Sequence, residues 1–384
     1  MIKIITIFLS YIIIFFNTNL FSEENNNKLK IGLLAPFSGE YKDLGNSLLL
    51  SVQLALNEIN DKNVIIVPRD SGSDNKEMLN NSIKEIIDQD VKVIIGPVSA
   101  KDFDEVYKYK NVIFISPSNI NPEIKNNVIS IGISLESQLK SIEKFIKENK
   151  RKRTLILYPK GNYADLIKNK LKKIKLNNYK IFQYSSDPKI LTGEIEKITN
   201  YSQRKRNLKL RIKLLEKKED EASKRELKNL EQVYTLGKVN FDSVIVIDFG
   251  SGLKSVLTSL IFSDVDEKDV IFTTVNQWFD KSIFYENSLK TLYYPSVNYK
   301  NFISYNDKYF KIFKSLPSEI TILTYDSIGL IYYIWKKNRK IETIKDFLIK
   351  DKIKGKIGAF SFNEGKVEQE LNMYKASDGK FIKF

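Results

Sequence analysis

From residue 29 to residue 184 the chain alternates two hydrophobic rhythms. Residues 31–35 form a short, wholly apolar run, Pro36 ends it, and Ser38 and Gly39 turn the chain. Leu48, Val52, Leu54, Ala55 and Ile59 then recur at helical spacing. The same order repeats: strands at 64–67, 91–95 and 112–116, with helices at about 76–89 and 102–108 between them. After Pro117, Asn121 and Pro122 a second round follows, with strands at 128–133, 154–158 and 179–184 and helices at 135–147 and 164–174. This rhythm predicts mostly parallel sheets covered by helices on both faces. Such sheets collect ligands at the carboxyl ends of their strands.

The stretch from 191 to 235 breaks the rhythm. Its leucines are followed by a long polar run, and Arg204, Arg206, Lys209, Arg211 and Lys213 precede Glu216, Glu219, Asp220 and Glu221. A charged helical hairpin reaching into solvent, Arg204 on its basic side, is the expectation. Alternation resumes with strands at 241–248 and 270–273, and residues 291–295 read as a return crossing between lobes. Helices at about 302–313, 319–336 and 341–349 come next, and alternating segments around an Asn/Gly turn at 363–365 predict a closing hairpin.

Length makes two lobes more natural than one core. The expected division is 29–120 plus 296–350 for the first lobe and 121–295 plus 351–384 for the second. Residues 1–22 carry Lys3 and an apolar core at 4–16, too short for the roughly 20 residues of a spanning helix. They read as a cleaved secretory signal peptide, with an uncleaved anchor as the alternative. The expected compartment is therefore the periplasm, with no stable membrane span after cleavage.

Composition narrows the chemistry. The chain has no Cys and no His. Disulfides, thiolate nucleophiles, zinc sites of Cys and His, the serine–histidine triad and a lipid anchor on a cysteine are all excluded. No Gly-rich phosphate loop is present. Carboxylate pairs such as Asp102 with Asp104 or Glu219 with Asp220 read as solvated, without the enclosing pocket that separates two pKa values. No catalytic residue, metal ligand or cofactor site is expected. The net charge of +15 comes from lysines spread over most segments. That spread reads as solvated faces and not as a nucleic-acid surface.

Several strings carry a resemblance over nearly the whole chain from residue 30: IGLLAPFSG at 31–39, ALNEIN at 55–60, Asp70, IGP at 95–97, ISPS at 115–118, Tyr325 with Asp326, and GAFSFNEG at 358–365. Together they resemble the type I periplasmic binding-protein fold of the leucine/isoleucine/valine-binding branch. Asp70 to Gly72, Gln138 after the strand at 128–133, the charged insert, Trp278 to Asp280 and the end of the chain look like a side branch, the penicillin-binding-protein activators. The resemblance implies an α/β, two-lobed molecule with three inter-lobe crossings. For function it implies a non-enzymatic accessory protein contacting a peptidoglycan synthase, a penicillin-binding protein. The other branch implies a solute-binding partner of an ABC permease, for branched-chain or other amino acids or short peptides. The chain departs from the best-understood activators, which are lipoproteins with a helical-repeat domain in front.

In binding proteins of this fold, amides and hydroxyls of one lobe hold an amino acid's carboxylate. Gly96, Pro97, Val98 and Ser99, with Ser116 and Ser118, occupy the matching loops, and Ser38 and Gly39 form a similar one. Tyr163 falls in register for an aromatic lid. Asp248, at a strand end, is the candidate for an ammonium group, with Asp280 a second; neither falls clearly where the amino-acid binders keep theirs. Trp278 is either an anchor for a ligand or partner, or core. Asp70 reads as a strand-end cap, and Tyr325 with Asp326 as structural groups near the hinge.

Overall fold

The computed structural model describes residues 28–119, 127–161, 163–285, 290–350, 352–363 and 366–384. The segment read as an export leader, the expected break at Asn121 and Pro122, and the tip of the expected turn at 364–365 lie outside them. In chain order the first elements are β1 (Leu29–Ala35), α1 (Lys42–Ile59), β2 (Val64–Asp70), α2 (Lys76–Ile87), β3 (Val93–Ile95), α3 (Phe103–Val106), β4 (Ile113–Ser116) and β5 (Val128–Ser130). Their five strands form one parallel sheet in the order β2-β1-β3-β4-β5.

The period of two along each strand sorts the two faces. Ile31, Leu33, Val93, Ile95, Ile113 and Ile115 enter one core, while Leu34, Ile94, Phe114 and Val128 enter the other with Leu79 and Ile83 of α2. Short polar side chains start and stop the helices. Asn75 accepts the Met78 amide at the start of α2, and Asn60 ends α1 in the left-handed region.

The second lobe contains α4 (Leu135–Glu148), β6 (Thr154–Pro159), α5 (Ala164–Leu171), β7 (Tyr179–Tyr184), α6 (Pro188–Ile198), α7 (Tyr201–Leu215), α8 (Glu221–Leu230), β8 (Ser243–Val246), α9 (Gly250–Phe262), β9 (Ile271–Thr274) and β10 (Leu292–Ser296). The chain returns to the first lobe for α10 (Tyr299–Phe313) and α11 (Thr321–Asn338). It then forms β11 (Ile353–Lys354), β12 (Ala359–Asn363), β13 (Lys366–Gln369), β14 (Asn372–Ser377) and β15 (Lys380–Lys383). The second sheet runs β15-β14-β10-β9-β8-β6-β7, with β14 antiparallel to both its neighbours, β10 and β15, and β11 to β13 make a small sheet of their own. Its two faces are again sorted by alternation. Leu155, Leu157, Val244 and Val246 pack under α6 and α9, and Ile156, Tyr158, Ile245 and Ile247 under α4 and α5.

The elements correct several expectations. Phe114 pairs with Val128 and Ser116 with Ser130, so β5 belongs to the first lobe. The first crossing therefore lies at 131–134, and the lobe boundary expected after residue 120 moves there. Residues 291–295 are mostly strand β10, and the second crossing is Val297 and Asn298 just beyond it. The insert also starts later than expected. Leu191 and Ile195 of α6 pack in the lobe's own core, leaving α7 and α8 as the added hairpin. Instead of a helix at 341–349 there is one 3-10 turn, Ile344–Phe347.

Candidate functional site

The first crossing leaves the carboxyl end of β5 and the second leaves the carboxyl end of β10. Both sheets thus turn their carboxyl edges toward the joint between lobes, which makes that joint the cleft. The loops at these edges carry the predicted site residues, and hydrogen bonds show what each is free to do.

On the first lobe the loop after β1 is built on Asp70. Its Oδ1 accepts the Phe37 and Gly72 amides at 3.0 and 2.9 Å. Burial pushes its pKa up, but the Ser38 hydroxyl and the amides of Gly72, Phe37 and Ser38 outweigh that and hold the carboxyl below its ordinary range. Ser73 Oγ donates to the Ser38 carbonyl at 3.0 Å. Ser38 and Gly39 are thereby fixed at the cleft edge. Gly96 has φ +113°, and a Cβ there would stand 2.1 Å from the Leu34 carbonyl oxygen. This brings Pro97 against Ser116, whose Oγ donates to the Pro97 carbonyl at 2.6 Å and accepts the Ser118 amide at 3.2 Å. Ser116 is 0% exposed. It and the buried Ser118 are part of the loop's own framework. Val98 and Ser99 remain at the rim, and Ser99 Oγ accepts the Lys101 amide at 3.3 Å. Asp102, expected to be solvated, is half-buried; desolvation, with the negative charge of Asp74 second, pushes its pKa up to about 6.

On the second lobe Asp248 is tied to its own scaffold. Its Oδ2 accepts the Tyr184 hydroxyl at 2.5 Å and its Oδ1 accepts the Phe249 amide at 2.8 Å. Burial first, and this carboxylate second, push the Tyr184 hydroxyl's pKa up. Asp280 accepts the Ser282 amide and hydroxyl at 2.8 and 2.7 Å. Trp278 sits half-buried with φ +50°, its amide donating to Asn276 Oδ1 at 3.0 Å. The ring packs beside the core that spans the joint.

Three aromatic side chains stand out in water at these edges: Tyr41 at 51% exposure, Tyr163 at 55% and Phe249 at 60%. Tyr163 fell in register for a lid. Tyr41 and Phe249 were missed, although an aromatic just after a turn or at a strand end was the available signal. Two cavities lie elsewhere. One, of about 170 Å³, runs along α9 and the turn between β14 and β15; another, of about 380 Å³, lies beside the end of α11. Of the predicted cleft residues, Asp280 lines the first cavity and none lines the second.

The crossings themselves are knitted together. Gln369 lies in the small sheet of β11 to β13, through which the chain makes its third crossing, back to β14 of the second sheet; it donates Nε2 to the carbonyls of Ile131 and Gly132 at 2.9 and 2.5 Å, joining that crossing to the first. Gln138 Oε1 accepts the Asn276 amide at 2.8 Å, and Asn276 Nδ2 reaches the Pro295 carbonyl and the Ser296 hydroxyl at 3.0 and 2.8 Å. Asp326, from α11, accepts the Lys356 and Ile357 amides at 2.8 and 2.9 Å. Burial drives its pKa up to about 6 against those two bonds and the Lys356 charge. Tyr325 donates to Glu58 at 2.5 Å and so ties α11 to α1. Asp326 thus grips the third crossing, while Tyr325 acts within the first lobe. Gln369 and Asn276 carried no sequence signal, because their partners lie far from them along the chain.

Two lobes of doubly wound α/β sheet, hinged by three crossings around a cleft, constitute the type I periplasmic binding-protein fold. Residues 28–175 match the model of a periplasmic binding-protein family. A search of curated proteins returns no match. Among solved structures, the chain is similar to the branched-chain amino acid substrate-binding protein LivJ of Streptococcus pneumoniae in complex with isoleucine. Identity is 17%, TM-score 0.56, with 93% of this chain and 99% of that one covered. A putative branched-chain amino acid ABC transporter protein of Rhodospirillum rubrum gives TM-score 0.69 at 10% identity, covering 93% and 100%. The C-domain of LpoA from Haemophilus influenzae, a regulator of PBP1A, gives TM-score 0.60 at 13% identity, covering 92% and 99%. Against full-length LpoA the chain spans 59% of that protein. These likenesses establish the fold, whose members here include both substrate-binding proteins and a regulator of PBP1A.

Proposed function

We propose that this protein is an exported, non-catalytic accessory protein of cell-wall synthesis that regulates a peptidoglycan synthase by direct contact. The observation that carries the reading is the state of the second lobe's candidate acids. Asp248 and Asp280 each spend part of their acceptor capacity on a local partner, Tyr184 and Ser282, and neither falls in the register where the amino-acid binders keep their acid. A buried ammonium without a counter-charge costs several kcal/mol, enough to remove useful affinity. The overlap with the LpoA C-domain along its length supports the same reading, as does a charged helical arm where a plain solute binder has no need of one. Export rests on the leader at 1–22.

The second reading, a solute-binding partner of an ABC permease, is favoured by Tyr41, Tyr163 and Phe249, exposed aromatics at the edges facing the joint. Their rings suit an apolar side chain or a sugar face.

Two measurements on the mature protein separate the readings. In glycan polymerisation by the bifunctional peptidoglycan synthase of the same organism, stoichiometric addition is expected to raise the rate several-fold. In a thermal-shift screen against amino acids and short peptides, no saturable shift is expected. A true ligand at about a hundred times its dissociation constant adds ~2.7 kcal/mol, which is roughly 2 °C or more for a chain of this size. An unchanged polymerisation rate together with a saturable shift for one amino-acid class would replace the first reading with the second.

A further inference from the structure

The helical insert is built as a rigid arm. Leu208, Leu215 and Leu230 form a small core between α7 and α8, with Ile212, Leu227 and Leu236 packed on it. Arg211 clamps Glu226 with two parallel bonds of 2.7 Å. At the base, the buried guanidinium of Arg204 donates to the Thr199 carbonyl at 3.1 Å, the Thr235 hydroxyl at 2.9 Å, the Asp264 carbonyl at 3.1 Å and the Ser263 carbonyl. Removing a guanidinium from water is costly unless its donors are satisfied. A loose, merely tolerated insertion has no use for that anchor.

The anchor fixes which side of α7 faces outward. At 100° per residue, Arg204, Leu208, Arg211 and Leu215 share the packed side, Arg206 and Lys213 fall opposite it, and Leu210 and Leu214 lie together on the adjoining flank. Leu210 is 60% exposed and Leu214 57%, one helical turn apart. Arg206, Lys213 and the exposed Lys217 just past the helix end flank them along one border. The whole of α7 holds six basic residues and no acidic one.

We infer that this outer face of α7 is the surface on which the protein docks a protein partner: a shallow apolar groove that takes Leu210 and Leu214, with carboxylates along the rim that meets Arg206, Lys213 and Lys217. An anionic membrane is the poorer fit. Interfacial helices present a broad apolar face carrying Trp or Phe, whereas this face offers two leucines and no aromatic. Naming the partner as the synthase rests on the reading above; the choice of surface rests on the arm.

The test is the affinity of the mature full-length chain for the purified, detergent-solubilised bifunctional synthase. The variants are Leu210→Glu with Leu214→Glu, and Arg206→Glu with Lys213→Glu. Lys300→Glu with Lys311→Glu, on exposed positions of α10, is the charge-matched control. The leucine pair is expected to weaken binding at least tenfold. The arm charge pair is expected to weaken it and to flatten its salt dependence, and the control to stay within twofold, all three with wild-type melting temperatures. Wild-type binding that both arm variants retain would overturn the docking face while leaving the synthase reading intact. No wild-type binding would overturn that reading and this inference with it. Sedimentation of the wild type with phosphatidylglycerol–cardiolipin vesicles, lost in the leucine pair, would overturn the inference in favour of a lipid surface.

Discussion

Asp326 sets two demands against each other. Burial favours its neutral form, while the Lys356 and Ile357 amides of the third crossing favour the carboxylate, and burial wins, leaving a pKa of about 6. The sign of the pH effect follows. A carboxyl whose folded pKa lies above its unfolded value of about 3.8 binds its proton more tightly when folded. Its contribution to stability is complete below about pH 4 and is lost as pH rises through about 6. At ~1.36 kcal/mol per unit, the loss is on the order of 2–3 kcal/mol. Asp102 shifts in the same direction, so the quantity to measure is a difference: urea midpoints of wild type and Asp326→Asn between pH 4 and pH 7. The wild type is expected to lose stability relative to the variant across that window. Parallel curves would show that Asp326 is ionised throughout. The acids themselves were legible as strand-end and hinge groups from their neighbours in sequence. Their distant partners were not, since backbone amides thirty or more residues away leave no mark in a single chain.

The alternation of core positions was plain in the sequence because a strand buried on both faces must be apolar throughout and a helix over it apolar at every third or fourth place. Sheet membership was not plain. Val128–Ser130 has three apolar or small residues, and nothing in them says whether they pair with β4 or open a new sheet; the prolines at 117 and 122 pointed the wrong way. The arm shows the same limit. Its charge pattern was legible, but Arg204 looks like every other basic residue of α7 until Thr199, Ser263 and Asp264 are brought around it. Arg204→Met keeps the bulk and removes the donors, leaving those carbonyls short of a partner, a loss of about 3 kcal/mol or more. The expected result is local. Hydrogen exchange of α7 and α8 should quicken markedly while β6 and β8 keep their protection. Unchanged exchange in α7 would show that the small leucine core holds the arm unaided.

At the scale of the molecule, the core does not respect the lobes. The cluster under the first sheet runs from Ile31, Ile95 and Ile328 through Val297 to Tyr294, Phe279, Tyr374 and Phe360, which the chain delivers from the second lobe and the third crossing. Phe279 alone stacks within 4.8–6.1 Å of Tyr294, Tyr299, Phe302, Tyr374 and Phe381. The cleft loops were correctly placed at strand ends by the sequence rhythm, but several of their polar groups turn out to be spent on this scaffold: Ser116 on Pro97, Asp248 on Tyr184. Such a joint couples the lobes. Unfolding the second lobe strips Tyr294, Phe279 and Tyr374 from the first lobe's core, a loss of roughly 1.5–3 kcal/mol for each large side chain uncovered. Gln369 and Asp326 lose their partners in the same event. The two lobes are therefore expected to melt together, in one calorimetric transition whose van't Hoff enthalpy matches the calorimetric one. Gln369→Leu, which removes the bonds to Ile131 and Gly132, should lower that transition without splitting it. Two resolved transitions in the wild type would mean that the lobes are independent bodies on a loose hinge, and that contact at the arm has no mechanical route to the cleft.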